Sequence, residues 1–188
     1  RIDNGAQKAP IMGWSSWNTF RNNIDEKLIK DTADAIKKNG LLEAGYRYIN
    51  LDDNWHSSLR DENGRLQGDL TRFPRGIKPM IEDLNKDGFR VGLYSSNGTL
   101  TCEDLPASLH REKLDAKTIA EWGVEYFKYD FCHHEYMSKY APLVYGIEIA
   151  KPASSDATFY DCKKSRVFGT AKFMRDKKVP VGCHVSGL

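Results

Sequence analysis

The sequence predicts an α/β protein in which short strands alternate with helices over residues 1–140. Four runs rich in β-branched and aromatic residues recur at intervals that leave room for a helix between them. Helix start and stop signals lie in those intervals, and polar residues cluster directly after the runs. Four such repeats are typical of the first half of a (β/α)8 TIM barrel, which carries its chemistry at that end of its strands.

The first two strands are predicted at residues 9–13 and 46–51. Between them, Asp25 can cap a helix that runs to about Lys38, because its carboxylate accepts N–H groups that the first turn leaves unpaired. Gly40 follows, where a left-handed residue commonly ends a helix. These signals predict the first strand–helix–strand unit.

The third and fourth strands are predicted at residues 89–94 and 124–129, with helices at 77–86 and 115–122. Met80, Ile81 and Leu84 form an apolar stripe on the earlier helix, and Asp130 directly follows the fourth strand. A doubly wound sheet is the competing interpretation. The barrel is favoured because no glycine-rich phosphate loop follows the first strand.

After about residue 140 the pattern changes. Proline, glycine and small polar residues divide residues 141–188 into short β-rich runs without a convincing amphipathic helix. We therefore expect a partial barrel over residues 1–140. Residues 141–188 are then a β-rich segment, either an insertion or the start of a β-sandwich.

Composition excludes several kinds of partner. The 28 basic and 26 acidic residues leave a net charge of +2, without a dense basic cluster of the kind that binds nucleic acid. No apolar run approaches the length of a membrane span. The cysteines are widely spaced and permit disulfides without requiring them; they are Cys102, Cys132, Cys162 and Cys183.

The adjacent carboxylates of Asp52 and Asp53 come at the end of the second strand. Two neighbouring carboxylates repel each other and need donors, such as sugar hydroxyls, basic side chains or a metal. The alternative is a helix cap or a loop turn. Trp55 favours a sugar site, because an aromatic face suits the apolar C–H face of a pyranose.

Lys128 and Asp130 are two residues apart, which places both on one side of a strand. A charge pair there would keep the carboxylate ionised, as a nucleophile must be. The alternative is an internal salt bridge. Trp14, Trp17 and Tyr94 are either core aromatics or the wall of a pocket at the strand ends.

Five segments follow one another along the chain: residues 12–18 (MGWSSWN), 49–55 (INLDDNW), 60–66 (RDENGRL), 72–78 (RFPRGIK) and 128–132 (KYDFC). Together, and in this order, they resemble glycoside hydrolase family 27, the α-galactosidases and α-N-acetylgalactosaminidases. The resemblance implies a (β/α)8 barrel and a double displacement with net retention on a terminal α-linked galactose-type sugar. The substrate would be a galactoside or N-acetylgalactosaminide oligosaccharide or glycoconjugate, with no metal or other cofactor.

The resemblance also implies residue roles. Asp130 corresponds to the nucleophile, and Cys102 and Cys132 to a disulfide that joins the loops after strands three and four at the pocket edge. Such a disulfide would favour a secreted or extracytoplasmic location. The expected substrate-binding residues are the carboxylates that bind the outer hydroxyls, Asp52 and Asp53, the hydroxyl donor Lys128, and the pocket aromatics Trp17 and Tyr94.

The sequence departs from the family in two places. Asn22 and Asn54 stand where many members have a second disulfide, and after His134 the motifs do not continue into a fifth βα unit. Residues 159–162, 168–171 and 182–188 instead resemble the opening of a carbohydrate-binding β-sandwich module.

The family's acid/base comes from a later strand, so we expect that this 188-residue chain alone does not turn over substrate. Half a barrel leaves sheet edges unpaired, which predicts either a homo-oligomer or a missing remainder of the enzyme. The alternative functions are a catalytically inactive galactoside-binding protein and an unrelated α/β metabolic enzyme.

Overall fold

The computed structural model describes residues 10–130, 132 and 181–183. Five strands form one sheet in the order β1-β2-β3-β4-β5, and each neighbouring pair is parallel. Within these residues, no helix has the length and apolar character needed to cross a bilayer. The elements are β1 (Gly13–Ser15), α1 (Trp17–Phe20), α2 (Glu26–Lys38), β2 (Tyr48–Leu51), α3 (Ile77–Lys86), β3 (Arg90–Ser96), α4 (Glu112–Glu121), β4 (Tyr126–Asp130) and β5 (Val181–Cys183).

Helices α2 and α3 agree with the sequence prediction. The Asp25 carboxylate accepts the Leu28 N–H at 2.7 Å and caps α2, and Gly40 takes a φ of 72° just beyond the end of α2. Helix α3 has the predicted bounds, and its predicted apolar stripe is buried together with Ile77. Local capping and periodicity therefore suffice to place these two helices.

The strands separate an apolar side from a polar side, because successive side chains of a strand point in opposite directions. One side packs into the hydrophobic core with the helices and includes Ile49 of β2, Leu93 of β3 and Phe127 of β4, each at most 1% exposed. On the other side, Lys128 and Asp130 line a cavity. The core thus fixes the backbone that carries the polar residues.

Strand ends differ from the prediction. Strand β1 begins at Gly13, whereas the predicted strand began at residue 9, and the short helix α1, which was not predicted, begins at Trp17. Strand β3 continues to Ser96, which pairs with Asp130, so Asp130 is the last residue of β4. These limits depend on pairing between strands, which local sequence does not report.

Strand β5 extends the sheet through parallel pairing of Val181–Cys183 with Phe127–Tyr129 of β4. The rest of the predicted β-rich segment, residues 141–180 and 184–188, lies outside the described residues, as do His133 and His134. The division into a partial barrel and a second unit therefore stays a prediction.

Candidate active site

A cavity of about 480 Å³ lies on the polar side of the sheet, within the range of small-molecule binding sites. The structure brings all the predicted site residues to this cavity, with Cys132 reaching it through its bond to Cys102. The cavity is lined by Ser15, Trp17, Asn18, Asp52, Asp53, Tyr94, Cys102, Tyr126, Lys128 and Asp130.

Asp130 is 3% exposed and stands at the carboxyl end of β4. Its backbone carbonyl accepts the Asn97 N–H at 3.1 Å, which ties the end of β4 to the loop after β3. A carboxylate oxygen of Asp130 and the sulfurs of Cys102 and Cys132 lie within 4.8 Å of one another. Because the two sulfurs are bonded to each other, they are not thiolate ligands, and this trio does not form a metal site.

Lys128 has a different hydrogen-bond partner from the one that the sequence suggested. Its Nζ donates to Asp52 Oδ2 at 2.7 Å, whereas the two-residue spacing had suggested Asp130. The ammonium also lies 5.0 Å from the centre of the Tyr94 ring, within cation–π range. Asp52 is 5% exposed, so this ammonium provides the counter-charge that a buried carboxylate needs.

Asp53 has hydrogen-bond donors for both oxygens. Oδ1 accepts from the Thr101 hydroxyl at 2.9 Å and the Asn54 N–H at 2.8 Å, and Oδ2 accepts the Glu103 N–H at 3.0 Å. Burial raises the pKa of Asp53 to about 6, although these three hydrogen bonds act to lower it. The two adjacent carboxylates therefore have different environments. Asp52 is paired with the Lys128 ammonium, and Asp53 accepts hydrogen bonds from uncharged donors.

Tyr94 and the disulfide form one wall of the cavity. The Tyr94 hydroxyl lies 3.2 Å from Cys132 Sγ, and the predicted Cys102–Cys132 disulfide is confirmed, with its Cα atoms 5.1 Å apart. Burial raises the pKa of Tyr94 well above its ordinary value, and the negative charges of Asp130 and Asp53 act in the same direction. The phenol consequently stays protonated and can donate a hydrogen bond.

Trp55 corrects the sequence interpretation. It was expected to offer an aromatic face to a sugar, but it is fully buried in the core and its indole N–H donates to the Tyr94 carbonyl at 2.9 Å. Asn54, with a φ of 72°, turns the chain just before it. Trp14 packs against the core and Phe20, so among the first two tryptophans Trp17 lines the cavity.

Three further residues line the cavity that were not predicted from the sequence: Ser15, Asn18 and Tyr126. Tyr126 could have been found, because it lies two residues before Lys128 on the same side of β4. Two of the three donors to Asp53 could not have been found, because Thr101 and Glu103 are 48 and 50 residues away along the chain.

Comparison with known proteins identifies the family. The family model described as "Alpha galactosidase A" matches residues 9–184, a match that continues past the point where the sequence motifs end. The α-galactosidase of Coffea arabica is 49% identical over 138 residues, covering 73% of this chain and 36% of the relative. α-Galactosidase A of Cellvibrio japonicus is 48% identical over 125 residues, covering 66% of this chain and 31% of the relative.

Solved structures agree. α-Galactosidase I of Mortierella vinacea superposes with a TM-score of 0.73 at 37% identity, covering 92% of this chain and 38% of that one. The Saccharomyces cerevisiae α-galactosidase with raffinose gives a TM-score of 0.74 at 34% identity, covering 94% and 34%. The chain thus spans about a third of the length of these relatives. With its parallel half-barrel sheet, the chain belongs to the α-galactosidase family, glycoside hydrolase family 27.

Proposed function

We propose that the complete gene product containing this chain is a retaining glycoside hydrolase that acts on terminal α-linked galactose-type sugars. The observation that carries the proposal is the position of Asp130. Its buried carboxylate lines a cavity large enough for a hexose, together with the paired Asp52 and Lys128 and the hydrogen-bonded Asp53. Family membership supports this chemistry, and raffinose, which occurs in a solved relative, is a suitable first substrate.

The cavity offers complementary groups for sugar hydroxyls. Asp52 and Asp53 present acceptors, Lys128 presents a donor, and Trp17 supplies an aromatic surface. Hydrogen bonds between hydroxyls and ionised groups are stronger than those between neutral partners. A sugar rich in hydroxyls would therefore be held with its ring near Asp130.

In the proposed reaction, an oxygen of Asp130 forms a bond to the anomeric carbon while the bond from that carbon to the leaving group breaks. A second carboxyl group protonates the departing oxygen. The same group then takes a proton from water, which attacks the anomeric carbon and releases Asp130. Two inversions give net retention, and the two carboxyl groups of such enzymes are about 5 Å apart.

The second carboxyl group has no candidate in the described part of the cavity. Asp52 is bound to Lys128, and both oxygens of Asp53 already accept hydrogen bonds. Among the described residues, the cavity has no carboxyl group besides these two and Asp130. We propose that residues 1–188 alone do not turn over substrate, and an assay of the purified chain with an aryl α-galactoside tests this.

Trapping with an activated fluorogalactoside tests the role of Asp130. We expect the complete gene product to gain the mass of one glycosyl group, and peptide mapping to place that group on Asp130. The Asp130→Asn variant should stay unlabelled. If a galactoside binds by isothermal titration but no residue is labelled, the alternative of an inactive galactoside-binding protein replaces this proposal.

A further inference from the structure

His56 is a buried polar residue without a hydrogen bond for its ring. Its side chain is 0% exposed, and neither ring nitrogen makes a hydrogen bond of normal geometry among the described residues, although the ring lies close enough to the Tyr94 backbone for that contact to raise its pKa. Burying polar atoms without partners costs free energy, so such a group needs a physical explanation. Its position beside the cavity carboxylates suggests where to look for one.

The ring of His56 is held in one orientation. It stacks on Trp55 with centroids 3.8 Å apart and an interplanar angle of 25°, and its edge meets Tyr94 at 84°. The hydrogen bond of Trp55 to the Tyr94 carbonyl in turn fixes the indole. This packing directs His56 Nδ1 toward Asp53 Oδ1, 3.7 Å away.

The charge state of His56 follows from its burial. Burial lowers the pKa of His56 to about 3, and the nearby Arg60 cation acts in the same direction. A contact with the Tyr94 backbone acts in the opposite direction but is outweighed, so the imidazole is neutral at physiological pH. A neutral imidazole carries one N–H. A lone pair on Nδ1 would face the Asp53 carboxylate and be repelled by it, so the tautomer with the proton on Nδ1 is favoured.

We propose that His56 is a positioning residue, whose Nδ1–H closes onto Asp53 Oδ1 when a sugar binds. The inference rests on the proposed function, because the sugar is the ligand of Asp53. At 3.7 Å the two atoms are too far apart for a hydrogen bond, but contacts in active sites often tighten only in the complex. A bound sugar excludes solvent from the cavity, which strengthens the attraction between the Nδ1–H and the Asp53 carboxylate.

The effect of His56 depends on the other groups that face Asp53. These are the Asp52 carboxylate, the Tyr94 phenol, the Thr101 hydroxyl and the backbone N–H groups of Asn54 and Glu103. Asp52 favours the protonated form of Asp53, and the hydrogen-bond donors favour the ionised form. A hydrogen bond from His56 would join the donors that favour the ionised form and help to keep Asp53 ionised in the complex.

Three variants of the complete gene product isolate the Nδ1–H. His56→Phe keeps a ring for Trp55 to stack on and removes the donor. His56→Asn places an amide N–H near the position of Nδ1, the nitrogen that lies 3.7 Å from Asp53 Oδ1, whereas His56→Gln places it near Nε2. The measurements are KM and kcat for an α-galactoside as a function of pH.

We expect His56→Phe to raise KM about tenfold, the effect of losing one hydrogen bond to a charged group, with a smaller change in kcat. The acid limb of kcat should move to higher pH, because it reports ionisation in the complex, where Asp53 binds its proton more tightly without this donor. His56→Asn should restore both properties and His56→Gln should not. The ¹⁵N shifts of His56 should show the Nδ1–H tautomer from pH 5 to 8.

Wild-type values of KM and of the acid limb in His56→Phe would overturn the inference while leaving the proposed function intact. If His56→Phe does not fold, equal behaviour of His56→Asn and His56→Gln has the same meaning. An Nε2–H tautomer would also overturn it. A wild-type gene product that neither binds galactose nor hydrolyses α-galactosides would instead refute the proposed function, and this inference with it.

Discussion

The two sides of strand β4 carry different properties of the molecule. Phe127 points into the core and is fully buried among side chains from the sheet and helices. Lys128 and Asp130, its neighbours in the same strand, line the cavity on the other side. One strand of five residues therefore contributes both to the packing that holds the fold and to the proposed substrate-binding and catalytic groups.

Because the two sides of β4 have different surroundings, we expect single substitutions in this strand to change stability and activity separately. The apolar side packs in the core with buried residues of helices α2, α3 and α4, so its residues are constrained by shape and volume. The polar side faces a cavity, so its residues are constrained by charge and hydrogen bonding. Substitutions on the two sides should affect different measurements.

The largest effect should come from Asp130→Asn, which removes the proposed nucleophile. We expect kcat of the complete gene product for an α-galactoside to fall by about 10³-fold or more, because the covalent step is lost. The urea midpoint of unfolding should change little. Activity within about tenfold of wild type would contradict the role of Asp130 and remove the distinction between the two sides.

Phe127→Ala should lower stability and leave substrate binding nearly unchanged, the opposite of the result expected for Asp130→Asn. Removing a fully buried ring leaves a cavity in the core, and we expect the free energy of unfolding to fall by about 3–5 kcal/mol. KM of the protein that remains folded should stay close to wild type at a temperature well below the transition. A large change in KM with little loss of stability would show that the two sides are coupled.

Lys128→Met removes the cation that pairs with Asp52 in the cavity. We expect kcat/KM to fall by about 100-fold, because the buried Asp52 carboxylate loses its counter-charge and the sugar loses a donor. Lys128→Arg is the matched control, since it keeps the charge, and it should lose less. Equal losses in both variants would mean that the shape of lysine, not its charge, is what matters.

The smallest effect concerns the pH dependence of stability. Because the folded pKa of Asp53 is about 6, above the ordinary value near 4, the folded protein holds a proton that the unfolded chain releases between these values. This group therefore lowers the free energy of unfolding by about 2 kcal/mol as pH rises from about 4 to 6. Urea unfolding of wild type and Asp53→Asn across this range measures the difference, and parallel curves would contradict it.

Sequence signals were sufficient wherever the cause is local. The cap at Asp25 and the stripe of α3 located two helices, and the two-residue spacing of Lys128 and Asp130 placed both on the cavity side. Motif order identified the family and the disulfide partners, Cys102 and Cys132. Each of these inferences uses residues close in the chain or a family pattern already known.

The remaining features depend on contacts between distant parts of the chain. Lys128 donates to a carboxylate 76 residues away, a pairing that the sequence does not encode locally. Asn54 adopts a left-handed conformation directly before Trp55, which lies in the core among residues from distant parts of the chain. No sequence signal indicated a role for His56, because a single histidine after a tryptophan belongs to no known motif.

The disulfide has a protective consequence for the proposed nucleophile. If Cys102 and Cys132 were reduced, two thiols and the Asp130 carboxylate would converge within 4.8 Å, a set of ligands suited to a thiophilic cation such as Zn²⁺. Capture of such a cation would occupy the carboxylate oxygen of the proposed nucleophile. With the two sulfurs bonded to each other, this set of ligands does not exist and the Asp130 carboxylate stays open to the cavity.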